Sequence, residues 1–179
     1  MEQRINEVDK WYEQYVDELF SYGIAFGMEK DTVLDVIHDV FLYLYESADK
    51  IEMPENPKFY LLRSVKNRII TFKQKYANLI SLEDDMEYDF QIKVDALSVI
   101  EDEEERIAYE EQVEHLFSLL TNKQREVIYL HFMQELSYQE IADMLHITPK
   151  SVRKIVYRAL ERMQEGVAPL WLVFIFLVK

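Results

Sequence analysis

Apolar residues recur at helical spacing along most of the chain. Trp11, Tyr15, Leu19, Tyr22 and Phe26 return every three or four residues and form one stripe. Met28-Glu29-Lys30 interrupts it, and Asp31 is placed to cap a second helix. On that helix Val33, Ile37, Val40, Phe41, Leu44 and Tyr45 share a face. Pro54 and Pro57 close it and open a third from about Lys58, whose apolar set is Phe59, Leu62, Val65, Ile69 and Phe72. Three helices of this size can bury a core of their own.

After Tyr76 the period fades. Ser81 to Ile100 carries acids among scattered apolar residues and reads as a linker. Glu101 to Glu105 starts a helix that continues through Val113, Leu116, Phe117 and Leu120, with acids in its first turn to suit the helix dipole. Thr121-Asn122-Lys123-Gln124 is a capping box that opens a helix bearing Val127, Ile128, Leu130 and His131. Ser137-Tyr138-Gln139-Glu140 is a second, ahead of Ile141, Ala142 and Leu145. Thr148-Pro149 starts a third helix, carrying Val152, Ile155, Val156, Ala159, Leu160 and Met163. The expected fold is all-α. It has two small helical domains, 1–76 and 113–166, joined by an acidic linker over 77–112 and followed by an apolar tail, 167–179.

Composition excludes several alternatives. The 179 residues include 3 Gly, 4 Pro and no Cys, which argues against a turn-rich β protein, a disulfide framework or a zinc-thiolate site. Met1-Glu2-Gln3-Arg4 leads into charged sequence rather than an apolar core, so a cytoplasmic protein is expected. His38, His115, His131 and His146 lack metal-ligand spacing, and the acidic run Glu83 to Asp89 lacks the glycine of a calcium loop. With no phosphate loop or nucleophile elbow either, neither metal, cofactor nor enzymatic activity is expected.

The formal charge of −14 conceals segregation. Residues 1–57 hold 14 acids and 4 bases, whereas Lys58 to Tyr76 holds six bases and no acid. Residues 77–120 return to 14 acids against 2 bases, and His146 to Met163 carries five bases against Glu161. Two basic islands in an acidic chain let a polyanion dock locally while being repelled elsewhere.

The second island coincides with a helix-turn-helix pattern from Ile141 to Ile155. Ala142 is small where two helices cross, Leu145 and Ile147 flank the turn, and His146 stands where Gly is usual. The outward face of the second helix carries Lys150, Arg153, Lys154, Tyr157 and Arg158. A helix of this width enters a DNA major groove, where Arg reads guanine and Lys and Tyr grip phosphates. A trihelical packing unit with a merely solvated basic face would show the same caps and spacing; the charge island favours DNA.

Leu120 to Val127, Leu136 to Ala142, Ser151-Val152-Arg153-Lys154 and Tyr157 to Leu160 resemble region 4 of the sigma-70 family of polymerase sigma factors. Independently, Asp35 to Phe41 resembles the region 2 helix that docks on the polymerase clamp. Phe59 to Arg68 resembles the helix that opens and reads the minus-10 element. The two-region layout is similar to the extracytoplasmic-function (group 4) type. Two departures stand out: His38 where the family usually has Gln, and Tyr60 where Trp is common.

The resemblance implies a protein that binds core RNA polymerase and directs initiation at promoter DNA. Asp35, His38 and Asp39 would face the polymerase clamp. Tyr60, Arg63, Lys66, Asn67 and Arg68 would hold the melted minus-10 strand. Lys150, Ser151, Arg153, Lys154, Tyr157 and Arg158 would contact the minus-35 groove. An anti-sigma factor or another regulator is the further partner it implies. A helix-turn-helix regulator that never joins polymerase is the alternative, but it leaves the first island unexplained. The tail from Val167 to Val178 is apolar all round and too short for a membrane span. It is expected to fold back on the protein's own helices, with docking on a partner or second copy and, less favoured, membrane anchoring as the alternatives.

Overall fold

The computed structural model describes residues 2–47, 49–50, 52–80, 88–92 and 103–165. The described residues form seven α-helices and one π-helical turn, without a strand, and fall into two units divided between Asp89 and Phe90. The tail and residues 81–87 and 93–102 of the acidic linker lie outside the described residues.

In the first unit, α1 (Glu2–Ala25), α2 (Lys30–Ser47) and α3 (Pro57–Ile80) each pack on the other two. Trp11, Leu19 and Tyr22 on α1, Phe26 just beyond it, and Ile37, Phe41 and Leu44 on α2 meet Leu61, Leu62, Val65 and Ile69 on α3. The spacing had identified these stripes, except for Leu61. Phe59 and Phe72 lie half-buried at the core's edge. Each fully buried aliphatic or aromatic side chain here contributes about 1.5–3 kcal/mol.

The start of α2 differs from expectation, whereas that of α3 lies where Pro57 indicated. The carbonyl of Glu29 accepts from the Val33 N–H, so α2 begins two residues earlier than a cap at Asp31 would place it. Asp31 lies within the first turn, where its charge still opposes the positive helix end, and does not cap. Helix α3 is capped by Asn56, whose Oδ1 accepts from the Phe59 N–H at 3.1 Å. Pro57 then occupies the first helical position, where no N–H is needed.

Gly23 sets the distance between α1 and α2. A Cβ there would lie 2.5 Å from Val33 Cγ1, a branched side chain that is itself fully buried. Gly23→Ala gains helix propensity but overpacks this crossing. It should destabilise the unit by about 1–3 kcal/mol in a denaturant titration, with Val33→Ala restoring part of the loss.

Tyr45 on α2 donates to Asp9 Oδ1 on α1 at 2.6 Å. Burial, then the hydrogen bond and the negative charge of Asp9, push the phenol up from 10.0 to about 12. Folding thus favours the neutral phenol. This contribution is complete below the ordinary value and is lost as pH rises through about 12. In an ultraviolet titration Tyr45 should ionise among the last of the 12 tyrosines, and Tyr45→Phe should remove that late step.

The second unit contains α4 (Glu103–Ser118), α5 (Asn122–Ile128), the π turn (Tyr129–Met133), α6 (Tyr138–Leu145) and α7 (Pro149–Glu165). Both capping boxes form: Thr121 with Gln124, and Ser137 with Glu140. Beyond Ile128 the helix widens, with the Gln134 N–H bonding the Tyr129 carbonyl. Sequence spacing alone had suggested an ordinary α-helix through His131. Phe90, expected in a solvated linker, is instead fully buried against Tyr129 with rings 5.6 Å apart. Its N–H donates to Asn122 Oδ1, and its carbonyl accepts from Arg125 Nη1 at 2.9 Å.

Candidate nucleic-acid interfaces

The exposed basic face in the second unit is created by how α7 is buried. Val152, Val156, Ala159 and Met163 point inward, and α7 packs on both α5 and α6. Ala142, 1% exposed, lets α6 approach closely. His146 takes the left-handed conformation (φ 53°, ψ 43°) that the turn requires, at the strain expected of a non-glycine residue. Thr148 Oγ1 accepts from the Ser151 N–H at 3.1 Å and starts α7.

With that stripe inward, Lys150, Arg153, Lys154, Tyr157 and Arg158 are exposed on the other side. Tyr157 is 65% exposed, far more than packing would leave it. The Arg153 guanidinium lies over the Tyr138 ring, 5.8 Å from its centroid. Ser151, grouped with these residues on sequence, is half-buried and its hydroxyl bonds Thr148. Its structural role is in the cap. Arg162, also in the island, donates to Gln124 Oε1 at 3.0 Å and ties α7 to α5.

The first island is altered more by folding. Tyr60, Arg63 and Asn67 share one side of α3; Arg63 and Asn67 are exposed and Tyr60 is half-buried. Arg63 also lies over the Phe59 ring. Lys66, expected beside them, is only 4% exposed. Its ammonium sits 5.9 Å from the Phe26 ring centroid and 5.6 Å from that of Tyr88. It follows Leu62 by four residues and precedes Ile69 by three, so helical geometry carries it into the apolar stripe. That spacing was visible in the sequence but was outweighed by the residue's charge.

Other cations of this island are also engaged internally. Lys58 pairs with Glu18 at 3.0 Å. Arg68 binds the Asp39 carboxylate and the Asp39 carbonyl, each at 3.1 Å. Lys73 donates to the Phe26 carbonyl at 2.6 Å, and burial lowers its pKa while Asp89 opposes the shift. Six basic residues therefore give a much smaller exposed cationic surface than their count suggested.

Helix α2 presents a third face. Asp35, His38 and Asp39 are exposed opposite the buried Val36, Ile37 and Val40. Leu42 and Tyr43, 55% and 48% exposed, continue this side, with Leu34 at its other end. The signal for them was an apolar residue lying off the buried stripe. A face mixing acids with exposed apolar groups suits a protein partner better than a polyanion.

Among the described residues no helix is long and apolar enough to cross a membrane. Arg63→Ala should weaken single-stranded DNA binding with little change in stability. Lys66→Ala should act mainly on stability, measured as a lower thermal midpoint.

Residues 110–163, containing the whole of α5 to α6 and most of α7, match the family model for sigma-70, region 4. Over 159 residues the chain is 19% identical to the ECF RNA polymerase sigma factor SigM of Bacillus subtilis (strain 168), covering 88% of this chain and 93% of that protein. Its fold is similar to the sigma factor RpoE from Bartonella quintana, solved in complex with the anti-sigma factor NepR. That likeness has a TM-score of 0.64 at 19% identity and covers 89% of this chain and 96% of the other.

Proposed function

We propose that this chain is a sigma-70 family protein of the extracytoplasmic-function type and serves as a promoter-specificity subunit of RNA polymerase. The observation that carries this reading is the exposed basic face of α7 within the part of the chain that matches region 4. In the proposed division of labour, Lys150, Arg153, Lys154, Tyr157 and Arg158 engage the minus-35 major groove. Arg supplies paired donors to a guanine edge, and the other groups hold phosphates.

Tyr60, Arg63 and Asn67 would act on unpaired minus-10 bases, the ring by stacking and the polar groups by hydrogen bonding. Arg68 would join them on leaving Asp39, whereas Lys66 supports the helix from within. Asp35, His38 and Asp39, extended by Leu42 and Tyr43, would form the polymerase-docking face of α2. The chain works here by binding, not by catalysing a reaction, and it works in the cytoplasm where polymerase and DNA are. An anti-sigma factor is the expected regulator, by likeness to the neighbour crystallised with one.

Assembly with core polymerase tests the reading. The full chain should co-purify with core enzyme and confer initiation in vitro. Asp35→Lys reverses one charge on the docking face while leaving the Asp39–Arg68 pair in place. It should reduce assembly at least fivefold, on the order of the 1 kcal/mol that one charge contributes at an interface rim. Duplex binding should remain unchanged. Retained duplex binding without any polymerase assembly by the unaltered chain would instead identify a free-standing regulator.

A further inference from the structure

Arg153 does not project from α7 alone. Its guanidinium rests over the Tyr138 ring, and Tyr138 in turn touches the His131 ring, with centroids 4.5 Å apart and planes at 41°. Three separate elements thus meet in one chain of contacts: the π turn, the first residue of α6 and the first half of α7. The two rings are held from behind. His131 Nδ1 lies 2.9 Å from the Leu136 carbonyl, which can only accept, so that nitrogen carries the proton. The His131 ring also meets Phe132 edge-on at 4.6 Å. Ser137 fixes the start of α6 through its capping box, and so fixes Tyr138 at the next position.

The backbone that makes this possible is unusual. The π turn inserts an extra residue into the helix turn around His131, and Glu135 is left-handed at φ 58°. The imidazole carried by this turn meets the Tyr138 ring.

We propose that Tyr138 and His131 are positioning residues for Arg153, holding its guanidinium at one place on the recognition face before DNA arrives. An unrestrained arginine loses side-chain freedom when it reads a base edge, and that loss opposes binding. Restraint by a ring in the free protein removes part of the loss and limits the base positions the fork can reach. The effect is on discrimination at one base pair rather than on phosphate grip. This inference rests on the placement of α7 in the groove.

The test uses the full chain and a pool of random-sequence duplexes, with bound DNA sequenced after selection. The unaltered chain and Tyr138→Phe should select the same motif, because the ring is retained. Arg153→Ala and Tyr138→Leu should relax preference at the same base pair. A discrimination of about 5- to 150-fold per well-made arginine–guanine contact sets the scale, so a loss of about fivefold is expected for Tyr138→Leu. His131→Leu should relax the same position to a smaller degree. In the Arg153→Ala background Tyr138→Leu should change nothing further. Affinity for unselected duplex should be the same for all variants except Arg153→Ala, whose lost charge weakens it slightly.

If Arg153→Ala relaxes one position while Tyr138→Leu leaves it sharp, the positioning role is overturned and the groove reading stands. If Tyr138→Phe loses as much as Tyr138→Leu, the hydroxyl contacts DNA directly, and the role as a ring support is overturned. If the unaltered chain selects no motif, or Arg153→Ala leaves the motif intact, the groove reading fails and this proposal with it. Thermal midpoints of Tyr138→Phe and His131→Leu close to the parent would show that altered discrimination does not come from unfolding.

Discussion

A helix of 7 to 24 residues, the range found among the described α-helices, persists by burying one apolar stripe against a neighbour. That constraint governs the whole chain. It decides which charged side chains remain available for binding and which are used to hold the structure. On α7 the stripe of Val152, Val156, Ala159 and Met163 leaves five cationic or aromatic residues outward. On α3 the same rule carries Lys66 inward and places its ammonium near the rings of Phe26 and Tyr88. Two basic islands of similar composition therefore end as different surfaces.

The difference has electrostatic consequences. A cation on α7 faces solvent, where it can exchange counterions for phosphate and so supply salt-dependent affinity. On α3, Lys58 and Arg68 are already neutralised by Glu18 and Asp39. Both pairs are partly exposed, so they contribute little to stability and can be exchanged for another anion at small cost. The Asp39–Arg68 pair also joins the helix proposed for polymerase docking to the helix proposed for strand capture. Engagement of Asp39 by a partner would free Arg68 for DNA, a linkage built from two side chains.

Much of this was legible from residue order. The capping boxes at Thr121 and Ser137, the start at Thr148-Pro149 and the apolar stripes depend on neighbours within four positions. Such interactions are local and form wherever the motif occurs. The left-handed turn at His146 followed from the same spacing, despite the absence of glycine. The resemblance to region 2 and region 4 segments likewise lay in contiguous stretches; the region 4 part coincides with the family match over residues 110–163.

What only the tertiary structure decided depends on residues far apart in the chain. Phe90 reads as one aromatic in an acidic linker, yet it fills a space beside Tyr129 and has its backbone bonded by Asn122 and Arg125. Tyr88, two residues earlier, lies over Lys66. The contact of Tyr138 with Arg153 joins α6 to α7, and the contact of His131 with Tyr138 is made from a π turn whose widened hydrogen bonding leaves no pattern in apolar spacing. Sequence alone determined where helices begin, which stripe each buries and where positive charge is concentrated, because those properties arise from short-range geometry. Which cations stay free, and what holds them in place, was settled by packing, because burial and pairing depend on the particular neighbours that folding brings together.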